Sequence, residues 1–227
     1  MLRVRVATVL IALLWFSLLW STPVLAAPFA VQVGEARIGL DAPPGFADTS
    51  FTGSPRLQEL AESLTSPSNR ILLFAISDGD LRKFSVGDVP EFRRYMMAVT
   101  PKELERERVA RKTFDEYAAA AMRELGEPLP DGKGLAEHFD SQPPGRPTVL
   151  GELRRDPEVT SMLIGTRLQP QRRAAKPQYL VSSTTMLLVR GKALNLAVFS
   201  AYDGPTDVEW VRAVTARWID DLRRLNP

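Results

Sequence analysis

Residues 179–202 read YLVSSTTMLLVRGKALNLAVFSAY. Two apolar runs, Tyr179 to Val189 and Ala193 to Tyr202, flank Arg190-Gly191-Lys192. Each run has strand length, and a short link with a central glycine closes a hairpin. Strands joined this tightly must be antiparallel. Inside the first run, Ser182-Ser183-Thr184-Thr185 is a block of hydroxyls. Strand alternation puts Ser182 and Thr184 on one face, Ser183 and Thr185 on the other. A few polar groups in an apolar cleft suit a small ligand. Thr184 and Tyr202 are therefore candidates for a pocket between the sheet and the polar loop 169–178.

The reading extends outward from this hairpin. Downstream, Gly204-Pro205 breaks the chain and Thr206-Asp207-Val208-Glu209 has the spacing of a capping box. Val208, Val211, Thr215, Trp218, Leu222 and Leu225 then recur at helical spacing, which predicts a final helix facing the core. Upstream, Thr148 to Arg155 and Val159 to Leu168 form a second hairpin turned by Asp156-Pro157. Residues 127–147 are rich in Pro, Gly and Asp and read as irregular, with one helical turn around Leu135 to Phe139. Thr100-Pro101-Lys102-Glu103 has the pattern of a capping box and predicts a helix running to about Leu125. The charged first half of that helix, Glu103 to Lys112, would lie on the surface. Arg70 to Ser77 and Phe92 to Val99 read as strands, with Asp78-Gly79-Asp80 as a turn. Ser54-Pro55 opens a short helix with Leu57, Leu60, Ala61 and Leu64 on one face. Phe29 to Asp41 reads as two short strands. The order β-β-α-β-β-α-loop-β-β-β-β-α implies an α+β fold: an antiparallel sheet of about six strands flanked by three helices, one domain over 27–227.

The 227 residues are 44% hydrophobic and 25% charged, an ordinary globular balance. The amino terminus differs. Arg3 and Arg5 precede an apolar run from Val6 to Trp20, Pro23 breaks it, and Val24-Leu25-Ala26 supplies small residues for cleavage. This is the layout of a secretory signal cut after Ala26, with an uncleaved anchor as the alternative. Cleavage removes two arginines and no acid, leaving 27 basic residues against 27 acidic ones. The sequence pI near 9.0 is thus no nucleic-acid footprint. Arg172-Arg173 and Lys176 read as a solvated loop. The chain has no cysteine, which excludes thiol catalysis and Cys-ligated zinc.

The stretch IGLDAPPGFADTS, Ile38 to Ser50, followed by SPRLQEL, resembles the PsbP-like superfamily. That group includes an extrinsic photosystem II subunit and a Ran-binding nuclear import factor. Pro44-Gly45-Phe46, Asp48, Ser50, Pro55, Gln58 and Glu59 match the import factor's segment. Arg56 stands where that motif has an acid, and Ser54 where it has an apolar residue. The resemblance implies the α+β fold in a bacterial exported member. Arg56 reverses a charge, and fold likeness does not transfer a partner. Read from the residues themselves, the stretch is a strand exit: prolines end the ladder, Phe46 enters the core, and Asp48 or Ser50 bonds nearby backbone.

Catalytic patterns are sparse. His138 is the lone histidine and reads as a surface residue; no Gly-x-Ser-x-Gly elbow accompanies it. No nucleotide-binding glycine motif is present. Asp78-Gly79-Asp80 starts like a calcium loop but lacks the later ligands. Glu103 and Glu107 are interleaved with Arg106 and Arg108, as on a solvated face. The expected function is that of an exported, non-catalytic binding protein, an accessory subunit of a cell-envelope assembly, periplasmic or secreted. Its protein partner would meet Glu103, Glu107, Arg108, Lys112 and the loop 127–147. No cofactor, metal or nucleic acid is expected, and membrane contact only through an uncleaved amino terminus. The alternatives are a periplasmic small-molecule carrier with its pocket near Thr184 and Tyr202, and a hydrolase using carboxylates that sequence does not pair.

Overall fold

The computed structural model describes residues 28–130, 134–169 and 178–227. The proposed signal segment and the Arg172-Arg173-Lys176 island lie outside them. The described residues form ten strands: β1 (Phe29–Val33), β2 (Ala36–Leu40), β3 (Phe46–Asp48), β4 (Asn69–Ser77), β5 (Arg94–Pro101), β6 (Glu127–Pro128), β7 (Pro147–Asp156), β8 (Val159–Arg167), β9 (Tyr179–Val189) and β10 (Lys192–Ala201). The α-helices are α1 (Pro55–Ser63), α2 (Asp78–Ser85), α3 (Arg111–Arg123), α4 (Leu135–Ser141) and α5 (Pro205–Leu225), with a 3₁₀ turn over Thr49–Thr52. β1 and β2 form a separate hairpin. The other eight strands form one sheet in the order β3-β4-β5-β10-β9-β8-β7-β6. All its pairings are antiparallel except β6 with β7.

The sheet is therefore eight-stranded rather than six-stranded, and the described residues hold five α-helices rather than three. The additions are short. β3 and β6 have three and two residues, too few to show alternation. Asp78-Gly79-Asp80 opens α2 instead of making a simple turn. Ser77 caps it by accepting from the Asp80 amide at 3.0 Å, and buried Asp80 accepts from the Glu91 amide at 2.9 Å. The helical turn expected near Leu135 is the seven-residue α4.

The largest correction concerns Thr100-Pro101-Lys102-Glu103. It caps no helix. Thr100 and Pro101 finish β5 opposite Arg70 and Asn69, and the Thr100 hydroxyl donates to the Ala193 carbonyl at 3.0 Å. The Val109 amide donates to the Gly191 carbonyl at 2.8 Å, so the helix begins only at Arg111. Sheet pairing and a neighbouring turn use the backbone groups that a helix would have needed.

Hydrophobic cores lie on both faces. On one, α5 and the β1–β2 hairpin bury Ile38, Leu40, Leu163, Leu187, Leu194 and Trp218. Ser183 and Thr185 also point here, paired with Thr215 at 2.7 Å and Ser161 at 2.6 Å. Hydroxyls buried in this way are satisfied by each other. On the other face, α1 packs Leu57 and Ala61 on Phe74, Ile76 and Met97, and α3 packs Phe114 and Ala118 on Met186 and Ala193. Arg94 ties β5 to the start of α5. It donates to Asp207 at 3.0 Å and lies 4.3 Å over the Trp210 ring. Burial pushes the Asp207 carboxyl up, but the Asp203 amide, Arg94 and the Gly204 amide together hold it below its usual value.

Tyr95 stacks on Phe199 at 4.5 Å, and burial pushes its phenol from 10.0 up to about 12. Between these values the unfolded chain has lost the proton and the native chain keeps it, so stability falls as pH rises. Two units correspond to roughly 2–3 kcal/mol. Urea midpoints measured from pH 9 to 12 are expected to fall less steeply in Tyr95→Phe than in the wild type. Equal slopes would show that Tyr95 titrates alike in both states.

Candidate functional site

The strand exit at Pro43-Pro44-Gly45 shapes the first feature. The Phe46 amide donates to the Pro43 carbonyl at 3.1 Å, and β3 pairs with only Ser77, Ile76 and Ala75 of β4. Asp48 then turns the chain. Its carboxylate accepts from the Ser50 amide at 3.2 Å and from the Ser50 hydroxyl at 2.5 Å. Thr49 donates its hydroxyl to the Phe74 carbonyl at 3.0 Å. The expected strand exit is thus present, with Phe46 packed 5.8 Å from Trp210. It also bends the chain away from β4, and among the described residues no strand lies beside Asn69–Phe74 on that side.

α1 returns along the same edge, and an open cleft of about 720 Å³ lies between. Ala61, Ile71, Leu72 and Leu73 supply its apolar lining, and Asp48, Thr49, Ser54, Gln58, Thr65 and Asn69 its polar one. Among the charged groups, Glu62 accepts from Gln58 at 3.0 Å, and Arg70 pairs with Glu105 and donates to the Gln32 carbonyl at 2.9 Å. Lys102 donates to the Pro67 carbonyl at 2.7 Å and has no carboxylate partner among the described residues.

The second feature is a basic end of the sheet. Lys192 is buried at 4% exposure, and its ammonium donates to the carbonyls of Glu105 at 3.0 Å and Glu107 at 2.6 Å. Among the described residues, no carboxylate neutralises it within ion-pair distance. The hairpin turn at Gly34 lies over the same spot: a Cβ there would come 2.4 Å from the Glu105 carbonyl and 2.7 Å from the Lys192 ammonium. Arg190 and Gly191 make the β9–β10 turn with φ of 50° and 74°. Such a conformation strains a non-glycine residue. It holds Arg190 where its guanidinium donates to the Arg37 carbonyl at 3.1 Å. Arg108 packs its stem near Gly191. Arg37, Arg106, Arg108 and Arg190 are exposed and have no ion-pair partner among the described residues. The acids interspersed here are Glu35, Glu107 and Glu105, the last engaged by Arg70.

Of the candidates read from the sequence, Glu103, Glu107 and Arg108 are exposed in the segment before α3, and Lys112 lies in its first turn, 4.0 Å from Glu116. They do not form one helical face, because the segment is a run of turns and bends from Lys102 to Glu107 and is tied to the β9–β10 turn. Thr184 and Tyr202 fall on opposite faces of the sheet. Thr184 pairs with Ala197, whereas the Tyr202 amide donates to the Tyr179 carbonyl. Alternation then separates them. Tyr202 packs 6.4 Å from Phe139 on the α5 side. His138 is buried rather than exposed, with Nε2 3.2 Å from the Thr148 hydroxyl and Nδ1 without a partner among the described residues. Among the described residues, no three His, Asp or Glu side chains gather as a metal site, and no helix is long and apolar enough to cross a membrane.

Sequence reasoning missed Arg37, Arg190 and Lys192 because Arg37, at the start of β2, is far along the chain from the β9–β10 turn that carries the other two. It missed the cleft because an unpaired strand edge has no residue signature of its own.

No family model and no curated protein matches the chain. Two solved structures are similar to it. One is the Saccharomyces cerevisiae Ran-binding protein Mog1p, at 10% identity and a TM-score of 0.41, covering 88% of this chain and 94% of that one. The other is a point mutant of Mog1, also at 10% and 0.41, covering 87% and 94%. A likeness of this degree carries nothing about partner or activity.

Proposed function

We propose that this chain is an exported, non-catalytic binding protein, an accessory subunit of a cell-envelope assembly, whose basic end meets an acidic surface of a protein partner. The observation that carries the reading is the set of arginines without an ion-pair partner among the described residues, Arg37, Arg106, Arg108 and Arg190, around buried Lys192. Two backbone carbonyls hold the lysine, and turn geometry holds Arg190, so the charge is largely pre-positioned. Complementary charge of this kind sets encounter rate and partner choice more than affinity. Export rests on the amino-terminal pattern Arg3, Arg5, Val6 to Trp20 and Val24-Leu25-Ala26.

Photocrosslinking in cells from Glu107, Arg108 and Lys112 is the test. One reproducible envelope protein is expected, with the crosslink lost in an Arg108→Glu/Arg190→Glu variant. With that partner purified, the charge reversals should slow association on the order of tenfold at low salt, with a smaller effect at high salt. A crosslink that ignores both reversals would overturn the basic-end reading, and no crosslink would overturn the partner itself. The mature amino terminus should begin at Ala27. Retention of residues 1–26 would replace the exported reading with an anchored one.

A further inference from the structure

We infer that Lys192 is a positioning residue: from inside the fold its ammonium sets where Arg106 and Arg108 stand, and it does so without adding to global stability. This rests on the reading that the basic end meets an acidic partner. It names the buried residue that shapes that end.

The chain from Lys102 to Ala110 has neither helix nor strand: β5 ends at Pro101 and α3 begins at Arg111. Its backbone polar groups must find partners elsewhere. The two ends are tied by main-chain bonds. The Lys102 amide donates to the Ser68 carbonyl at 2.9 Å, and the Val109 amide to the Gly191 carbonyl at 2.8 Å. Leu104 rests on the core under α3. The stretch that follows it turns its carbonyls inward. Glu105 and Glu107 both accept from the Lys192 ammonium, at 3.0 and 2.6 Å. Arg106 lies between these two residues and Arg108 follows them, and both arginines are exposed. Gly34 closes the junction from the β1–β2 turn. A Cβ there would meet the Glu105 carbonyl at 2.4 Å, the ammonium at 2.7 Å and Arg106 Cα at 3.2 Å. A further tie, the Glu105 carboxylate on Arg70, fixes no main-chain group of the segment.

Stability alone does not call for a lysine here. Lys192 is 4% exposed, and among the described residues no carboxylate stands within ion-pair distance to offset the loss of water around its ammonium. A methionine would fill nearly the same space without that cost. What the ammonium alone supplies is a set of N–H donors that holds two carbonyls at once. Without it those carbonyls would turn to water, since Glu107 is exposed and Glu105 half-buried. Arg106 and Arg108 would move with them. The charge of the surface would hardly change, but its arrangement would. Long-range field governs encounter, whereas close placement of charged groups governs how long a complex lasts. Lys192 thus acts on the second quantity, through residues that it does not touch with its own side chain.

The test uses residues 27–227 and two probes, trypsin and a poly-glutamate peptide of about ten residues at low salt. Lys192→Met should leave the urea midpoint unchanged or raise it. Trypsin should nonetheless cut after Arg108 about tenfold faster than in the wild type, as local opening allows. The peptide should bind the wild type and not Arg108→Glu/Arg190→Glu. It should bind Lys192→Met about three- to tenfold more weakly, although every exposed arginine remains. Lys192→Met also removes one charge, so Gly34→Ala serves as the charge-neutral variant. Its methyl group presses on the same Glu105 carbonyl, and it should bring the same faster cleavage and the same weaker binding. The inference is overturned if cleavage after Arg108 in Lys192→Met keeps the wild-type rate, if it rises only as far as the urea midpoint falls, or if Gly34→Ala binds the peptide normally. Faster cleavage in both variants, with a wild type that ignores the peptide, would sink the acidic-partner reading alone. Peptide binding that the double charge reversal abolishes and Lys192→Met leaves intact would sink the positioning role alone.

Discussion

Replacing Trp218 with alanine is expected to remove about 3–5 kcal/mol of stability, the range for truncating a large buried aromatic residue. Trp218 is 1% exposed and lies within the core between α5, the β1–β2 hairpin and the sheet. Its indole also donates to the Asp41 carbonyl at 2.8 Å, one residue after β2 ends and just before the prolines. That bond ties the hairpin's exit to the helix. Trp218→Phe keeps most of the ring and loses the donor, so it should cost about 1–3 kcal/mol, the price of leaving a buried acceptor unsatisfied. Urea unfolding of both variants separates packing from hydrogen bonding. Equal losses would show that the Asp41 contact carries most of the effect and ring packing little.

Gly165→Ala should be nearly as damaging, although it adds only a methyl group. A Cβ at Gly165 would come 2.0 Å from Phe139 Cζ and 2.6 Å from Cε1. Phe139 is 1% exposed, so its ring has little room to move. It would have to leave the notch, with a cost approaching the about 3–5 kcal/mol of Phe139→Ala. α4 would lose its main anchor, and residues 134–146 should become the first site of proteolysis. The double variant checks the mechanism. Once Phe139 is alanine, adding Gly165→Ala should cost under about 1 kcal/mol, a strong non-additivity. Additive losses would mean that Gly165 and Phe139 act through separate contacts.

Much of the fold could be read along the chain. The period-two hairpin at 179–202 and the 3.6-period helix at its end are long, so each gives a repeated signal before any contact is considered. Ser183 and Thr185 were separable from Ser182 and Thr184 by alternation alone, and their buried partners Thr215 and Ser161 agree with it. The errors lie where the local signal was short or was outcompeted. Thr100-Pro101-Lys102-Glu103 has good capping chemistry, yet β5 pairing with β4 and the Thr100 bond to Ala193 prevailed. Local propensity is a weak prior against a completed ladder. Asp78-Gly79-Asp80 resembled a turn because the Ser77 cap and the Asp80 bond to Glu91 are tertiary consequences of where β4 ends. His138 looked exposed because it lies in a segment rich in Pro, Gly and Asp, while the packing of α4 against β7 and β8 buries it.

The candidate site shows the same division. Sequence placed Arg108 and Lys112 in a charged surface segment, and exposure there needs nothing beyond composition. It could not add Arg37, Arg190 or Lys192, because charge at one point in space is a sum over loops that only the sheet brings together. By itself the sequence determined which long segments could be strands and helices and that strands joined by tight turns pair antiparallel, since those properties repeat every two or every three to four residues or follow from a short link. Only the tertiary structure decided that β3 stops after three residues. Among the described residues, that stop leaves Arg70–Leu73 paired with β5 on one side and without a strand on the other, an offset set by how far one strand runs past another, which neither strand's own residues encode.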